Sequence, residues 1–324
     1  MSSRGSVLVA GGAGYIGSHT AKQLRAAGMR PVVLDNLSTG NRSALRFGAF
    51  VEGNIEDRDL ILRTVAENEI GSAILFAGYI AVGESTSNPR KYYRNNVAAA
   101  LSFLDALIES GVRNVVFSSS AAVYGIQEKV PIPEDASMNP ISPYAETKLF
   151  VEQVLRAYSN SDGLRSVSLR YFNAAGADPG AEIGEQHDPE THLIPLAIFA
   201  AMGRQPLSVF GTDYPTPDGT AIRDYIHVTD LADAHVAAVK YLESGGATTS
   251  VNLGTGNGHS VHEVMQMVER VSGRPVTATF GPRRAGDAPA LVADAIKARD
   301  LLQWTPRLSS LESIVRTAWK WHSR

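Results

Sequence analysis

The sequence predicts an α/β protein built on a doubly wound parallel sheet, with a smaller α/β domain in its C-terminal half. Three observations carry this expectation. Short apolar runs alternate with longer helical patterns through the first half. A glycine-rich turn joins the first apolar run to the first helix, and the second apolar run ends on an acid.

The first strand is expected at residues 7–10, where Val7, Leu8, Val9 and Ala10 run into glycines. A helix follows over 15–27, and a second strand over 31–35 closes on Asp35. Further strands are expected at 49–51, 73–76 and 114–117, with helical patterns at 57–68 and 91–110 between them. Strands buried on both faces read as unbroken apolar runs, because helices cover both sides of a parallel sheet. Beyond about residue 172 the pattern loosens. Loops rich in Pro, Gly and Asp occupy 176–189 and 211–219, and helices are expected at 229–243 and 261–272. Residues 1–172 are therefore read as the first domain and 173–324 mainly as the second. The two are interwoven, with segments near 225–250 returning to the first.

The bulk properties narrow the function. Of 324 residues, 44% are hydrophobic and 19% charged, enough for a substantial core. The net charge of -3 gives no global basic field, so neither nucleic acid nor an anionic membrane is an expected partner. No run of 18 apolar residues points to a membrane span. The absence of cysteine excludes disulfides and thiolate metal sites. Residues 1–5 lead straight into the first strand and leave no room for a signal peptide, so a cytoplasmic location is expected.

Gly11-Gly12-Ala13-Gly14-Tyr15-Ile16-Gly17 lies between the first strand and the first helix. Glycines there permit a tight turn and let backbone approach a pyrophosphate, which the helix N-terminus attracts. Asp35 then stands where a carboxylate would accept hydrogen bonds from both adenosine ribose hydroxyls. It would repel a 2′-phosphate, so NAD is expected rather than NADP. Together these features make the sheet Rossmann-like.

Pro140-Ile141-Ser142-Pro143-Tyr144-Ala145-Glu146-Thr147-Lys148 opens a helix, with Ser142 as N-cap and Pro143 in the first turn. Tyr144 and Lys148 are one turn apart on one face. A phenol has a pKa of roughly 10, and lowering it by about three units requires about 4 kcal/mol. One cation at about 4 Å supplies about that much at an effective dielectric of 20. Lys148 and a positive nicotinamide ring could thus tune Tyr144 as general acid and base. The strand before it ends in Ser118-Ser119-Ser120, where an open α/β sheet places its crevice. Ser120 is the hydroxyl expected to meet Tyr144 or a substrate. Ser118 and Ser119 also read as an ordinary strand-end turn.

These residues resemble the extended short-chain dehydrogenase/reductase family, and within it the UDP-glucose (UDP-galactose) 4-epimerases. The resemblance runs through almost the whole chain, from the glycine turn and 33–37 through 76–78, 82–85, 92–96, 117–125, 142–148 and 169–173. It continues through 210–216, 223–228, 252–254 and 282–287. The 210–228 block and the Arg284/Asp287 pair are its epimerase-specific part. It implies an isomerase that oxidises a UDP-sugar at C4 transiently with tightly held NAD and returns the hydride to the other face. It further implies that Tyr144 is the base, Lys148 holds the nicotinamide ribose and Ser120 assists. Gly11, Gly14, Tyr15, Ile16, Gly17, Asp35, Asn36, Asn54, Ile55, Phe76, Ala77, Gly78, Ile80, Asn95, Ser118 and Phe172 would line the cofactor. Asn173, Leu193, Phe210, Arg223, Arg284, Asp287 and Leu291 would hold the substrate, with Ser120 and Tyr144. A homodimer through helices near 95–110 and 144–158 is also implied.

The sequence departs from the family pattern at Ala10, Asn54, Ile80 and Ala122, which stand for a threonine, an aspartate, a lysine and a small hydroxyl residue. UDP-xylose/UDP-arabinose and UDP-N-acetylhexosamines remain open as substrates. A 4,6-dehydratase or decarboxylase and a non-catalytic NAD sensor are the rival readings. The resemblance implies that Leu291 lies beside the sugar and would admit an N-acetyl group at a lower rate; Leu291 also reads as a core residue with no view of the sugar. His19 and His227 have no partners at metal-ligand spacing, so no metal site is expected.

Overall fold

The computed structural model describes residues 5–284 and 287–324; the N-terminal residues 1–4 weighed above for a signal peptide lie outside them. In chain order the strands are β1 (Ser6–Ala10), β2 (Arg30–Asp35), β3 (Ala49–Glu52), β4 (Ile70–Leu75), β5 (Asn114–Ser118), β6 (Arg165–Tyr171) and β7 (Asn173–Ala175). They continue with β8 (Leu207–Phe210), β9 (Ile222–Arg223), β10 (Tyr225–His227), β11 (Thr249–Leu253), β12 (His259–Ser260), β13 (Ala278–Gly281) and β14 (Ala290–Leu291). The helices are α1 (Tyr15–Ala26), α2 (Arg58–Asn68), α3 (Val82–Ser87), α4 (Pro89–Tyr92), α5 (Ala99–Glu109) and α6 (Pro143–Ser161). After them come α7 (Leu193–Ala201), α8 (Val228–Glu243), α9 (Val261–Ser272), α10 (Ile296–Leu302) and α11 (Leu311–His322).

Seven strands form one sheet in the order β11-β6-β5-β4-β1-β2-β3, with every pairing parallel. Side chains alternate across it. Val7 and Val9 of β1 point into a core shared with α8 and β11, while Leu8 and Ala10 point into one shared with α2, α5 and α6. The chain leaves β1 towards β2 on one side and the order resumes at β4 on the other. That reversal opens a crevice at the carboxyl ends of the strands, and it positions everything that follows.

Local signals set the helix ends. Ser142 caps α6 by accepting a hydrogen bond from the Ala145 N–H at 3.2 Å, and Pro143 fills its first turn. Asp57 caps α2 in the same way, and Ser260 with Glu263 forms a capping box on α9. The continuous helix expected over 91–110 is instead α4, a π-helical stretch at Tyr93–Ala98, and α5. One extra residue in a turn leaves the apolar spacing almost intact, so periodicity could not reveal it.

β11, from the C-terminal half, pairs with β6 as the last strand of the large sheet, and α8 packs on α1. The remaining C-terminal strands are short and form three small sheets: β10 with β7, β12-β9-β14, and β13 with β8. A separate core of α7, α9 and α11 supports them, including Ile194, Ile198, Val264, Val268 and Ile314. No helix among the described residues is long and apolar enough to cross a membrane.

Candidate active site

The glycine turn cannot carry side chains where it is tightest. Gly11 has φ +82°, and a Cβ there would lie 2.5 Å from the Ala77 nitrogen. A Cβ on Gly17 would lie 2.4 Å from the Gly11 carbonyl oxygen. Gly14 precedes α1 without a capping side chain, which leaves the first turn at Tyr15, Ile16 and Gly17 to offer its N–H groups to an anion. Asp35, at the end of β2, is buried and held from two sides. It accepts hydrogen bonds from the Ala13 N–H at 2.9 Å and the Leu37 N–H at 2.8 Å. Asn36 donates to the Asn54 side-chain oxygen at 2.7 Å, so the residue that departs from the family pattern is tied to the same rim. A cradle that any Cβ would fill, an uncapped helix start and a fixed carboxylate together fit a dinucleotide.

Other expected cofactor residues follow from β4. The Phe76 and Ala77 N–H groups both donate to the Ala10 carbonyl, at 2.8 and 3.0 Å. The Phe76 ring rests on His235 at 4.6 Å between centroids, and Ile55 packs on the core beneath β2 and β4. A Cβ on Gly78 would sit 3.3 Å from the Asn96 side-chain oxygen, and Ile80 is exposed. The π-helical stretch brings Asn95 beside Asn96, to whose oxygen it donates at 2.9 Å. Asn96 was not singled out in the sequence. It is buried and brackets Tyr79, accepting from its N–H at 2.8 Å and donating to its carbonyl at 2.9 Å. The adjacent Asn-Asn pair was the available signal.

Tyr144 and Lys148 rise from the first two turns of α6 and are both buried. Burial pushes the Tyr144 phenol above its usual value, and the Ser120 hydroxyl against it pulls it part of the way back. Burial pushes Lys148 down to about 8, with the Glu152 carboxylate opposing. The Lys148 ammonium donates to the Ser118 carbonyl at 2.7 Å and lies over the Phe117 ring. The three serines part company here. Ser118 meets the Tyr171 hydroxyl, Ser119 donates to Glu152 at 2.6 Å, and Ser120 alone faces Tyr144.

One further turn along α6, Glu152 pairs with fully buried Arg170, whose Nε donates to it at 2.9 Å. Arg170 also donates to the Tyr124 hydroxyl at 2.8 Å, and Tyr124 donates to Asn252 at 2.7 Å. This network under Tyr144 and Lys148 was not visible in the sequence, because its members come from four separate segments.

Across the crevice, β9 and β14 place Arg223 beside Leu291 in register. Arg223 donates to the Ala288 carbonyl at 2.9 Å and lies 3.4 Å from Asp287. The Arg284 guanidinium stacks over the Phe210 ring at 3.9 Å. Ala285 and Gly286 of the same motif lie outside the described residues. Asn173 donates to the Asp224 carbonyl at 3.2 Å, and Leu193 opens α7. Leu291 and Phe172 pack against one small apolar cluster with Ala121, Val123 and Tyr124. Leu291 therefore borders the turn that carries Ser120. His19 and His227 are buried, each pushed down to about 4 mainly by burial, and neither enters a metal-ligand cluster among the described residues.

Fold and site define a dinucleotide-binding enzyme. The NAD dependent epimerase/dehydratase family matches residues 7–254, and the chain belongs to that family. It is similar to the UDP-glucose 4-epimerase of Rhizobium meliloti, at 50% identity over 98% of this chain and 97% of that one. The UDP-glucose 4-epimerase of Azospirillum brasilense is 51% identical over 97% of this chain and 91% of its own length. Among solved structures, UDP-glucose 4-epimerase from Brucella ovis in complex with NAD superposes with a TM-score of 0.96. It is 53% identical, over 98% of both chains.

Proposed function

We propose that this chain is a UDP-glucose 4-epimerase, interconverting UDP-glucose and UDP-galactose with tightly bound NAD. The observation that carries this reading is the buried Tyr144, with the Ser120 hydroxyl against it and Lys148 one turn further along α6, while Leu291 and Phe172 add an apolar wall to the turn that carries Ser120. NAD would lie from the glycine turn and Asp35 to Phe76 and Lys148, supplying a reversible hydride acceptor at the sugar C4. Tyr144 Oη takes the proton from the C4 hydroxyl and later returns it. Lys148 brings positive charge beside that oxygen and holds the cofactor ribose, and Ser120 steadies the proton in transit. Arg223, Arg284 and Asp287 hold the UDP part, the arginines on the diphosphate and the acid on ribose hydroxyls. Asn173, Leu193 and Phe210 complete that subsite.

An epimerase must let the 4-keto sugar turn over between the two hydride transfers. An apolar wall suits that task, because it makes no hydrogen bond that would favour one face. A dehydratase needs a free carboxylate beside the tyrosine. Glu152 is near but buried under it and engaged by Arg170, Ser119 and Ser250. The test is to incubate purified protein with UDP-glucose and separate the products. UDP-galactose without net NADH is expected; a keto-deoxy sugar or no product would overturn the reading.

A homodimer belongs to the same proposal. Exposed Tyr93 and Phe150 lie on the π-helical stretch and α6, the elements expected to pair. Light scattering on the purified protein tests it, with twice the chain mass expected. A cytoplasmic location is likewise proposed, consistent with the lack of cysteine.

A further inference from the structure

Between β7 and α7 the loop carries Glu185, His187, Glu190 and His192, spaced two, three and two residues apart. The chain folds so that one ligand atom from each of the four lies within 4.8 Å of the others. His187 Nδ1 is 3.1 Å from Glu185 Oε1 and 3.9 Å from Glu190 Oε2. His192 Nδ1 is 2.8 Å from Glu185 Oε1 and 3.0 Å from Glu190 Oε1. Both carboxylates are nearly inaccessible, at 3% and 7% side-chain exposure, whereas His192 is 42% exposed and leaves a way in from solvent. Among the described residues neither acid has a lysine or arginine within ion-pair distance.

We propose that Glu185, His187, Glu190 and His192 form a structural binding site for one divalent transition metal ion, zinc suiting it best. Bonds of roughly 2.0–2.2 Å in a tetrahedron put ligand atoms about 3.3–3.6 Å apart, within the spread of separations seen here. Two imidazoles with two carboxylates suit zinc, whereas magnesium and calcium favour all-oxygen sets. Four protein ligands close the coordination sphere, so the ion holds structure and leaves no position for substrate.

Glu190 is already oriented, accepting from the Thr191 and His192 N–H groups at 2.7 and 2.9 Å.

The position of the cluster says what the ion would hold together. The His187 ring meets Tyr15 edge-on at 6.2 Å, and the Tyr15 hydroxyl donates to the Gly176 carbonyl at 2.6 Å. Asn41, from the loop after Asp35, donates to the Gln186 carbonyl at 3.1 Å. Trp321 of α11 donates to the Glu185 carbonyl at 2.8 Å. One ion would thus tie the start of α1, the loop after β2 and the C-terminal helix to a single loop beside the cofactor crevice. The expectation of no metal site considered only His19 and His227. The spacing in 185–192 reads as a polar loop until the backbone turns its four side chains inward.

The test uses full-length, tag-free protein carrying its cofactor, with metal removed by chelator dialysis and then titrated calorimetrically with zinc chloride or magnesium chloride. One zinc per chain, bound more tightly than about 1 μM, is expected, with no magnesium binding. Saturating zinc should raise Tm by roughly 5 °C at a hundredfold excess over Kd. His187→Gln should weaken zinc binding by about a hundredfold while keeping the wild-type far-ultraviolet spectrum. No zinc binding below about 100 μM, or undiminished binding by a folded His187→Gln/His192→Gln double variant, would overturn the proposal.

Discussion

On the cofactor side of the crevice, Gly11, Gly17 and Asp35 sit at the ends of long parallel strands or in the first turn after one. Their positions are set by backbone contacts, such as the Ala13 and Leu37 N–H groups on Asp35. On the proposed substrate side, Arg223, Asp287, Phe210, Arg284 and Leu291 come from strands of two to four residues and the loops between them. There side chains also meet one another, Arg223 with Asp287 and Arg284 over Phe210, beside the hydrogen bond from Arg223 to the Ala288 carbonyl. A site made of backbone is rigid and intolerant of change. One made of long side chains on short strands can shift around a sugar that must turn within it. The contrast predicts that changes on the cofactor side act on binding and turnover as a whole, and changes on the substrate side on selectivity.

The largest expected effect is at the seam. Tyr144→Phe should lower turnover by about 10³–10⁴-fold, since the phenolic oxygen is the proposed proton carrier. It should keep its NAD, because the glycine turn and Asp35 are untouched. Near-wild-type turnover, read by UDP-galactose formation, would remove Tyr144 from the chemistry.

Under the seam, Glu152→Gln strips the partner from buried Arg170 and should cost about 3–5 kcal/mol of stability. Both halves should lose stability together, because Ser250 of β11 also donates to Glu152. Thermal melting reads the effect, and an unchanged Tm would show that the pair is not a shared keystone.

Lys148→Met separates function from stability. Turnover should fall by about 10²-fold, as the positive charge beside Tyr144 is lost. The folded pKa of Lys148 lies below the ordinary value of a free lysine, so the native state bears the charge at a penalty below about pH 8. Between about pH 8 and 10.5 the unfolded chain binds the extra proton, and wild-type stability gains relative to lower pH. Cofactor-free Lys148→Met should therefore exceed wild type in Tm most at or below pH 8, and the margin should shrink towards pH 10.5. A margin that widens with pH would contradict this sign.

Asp35→Asn tests the rigid side by itself. It keeps the shape but loses the charge, and should weaken NAD retention by about 10–100-fold while narrowing the preference over NADP. Equilibrium titration of cofactor-free protein with each dinucleotide measures both. An undiminished preference would place the discrimination elsewhere.

The smallest effect is expected on the adaptable side. Leu291→Tyr should reduce turnover of UDP-N-acetylglucosamine more than that of UDP-glucose, since the added ring fills space beside the Ser120 turn. An equal fall for both sugars would make Leu291 a core residue rather than a pocket wall.

Much of the cofactor side was legible because local chemistry and tertiary role coincide there. The turn at 11–17 needs glycine for the same reason that a pyrophosphate can approach it, and the Ser142–Pro143 cap identifies the helix that carries Tyr144. Less of the substrate side was legible. Strands such as Ile222–Arg223 are too short to show a period, and resemblance rather than pattern pointed to Arg223, Arg284 and Leu291. Glu152 was not legible, because a lone buried polar residue has no sequence signature until its partners are known, whereas Asn96 had only its neighbour Asn95 to mark it.

The sequence by itself determined the alternation of strands and helices, the glycine turn with its acid, and the tyrosine and lysine one turn apart. Each depends on contacts within a few residues, where propensity, capping and side-chain period act directly. Only the tertiary structure decided that β11 completes the sheet, that Ser119 meets the buried Glu152, and that Glu185, His187, Glu190 and His192 converge. Those outcomes depend on where backbone and side chains are directed after distant segments have packed. Their stabilisation comes from burying groups against partners that one-dimensional spacing does not encode.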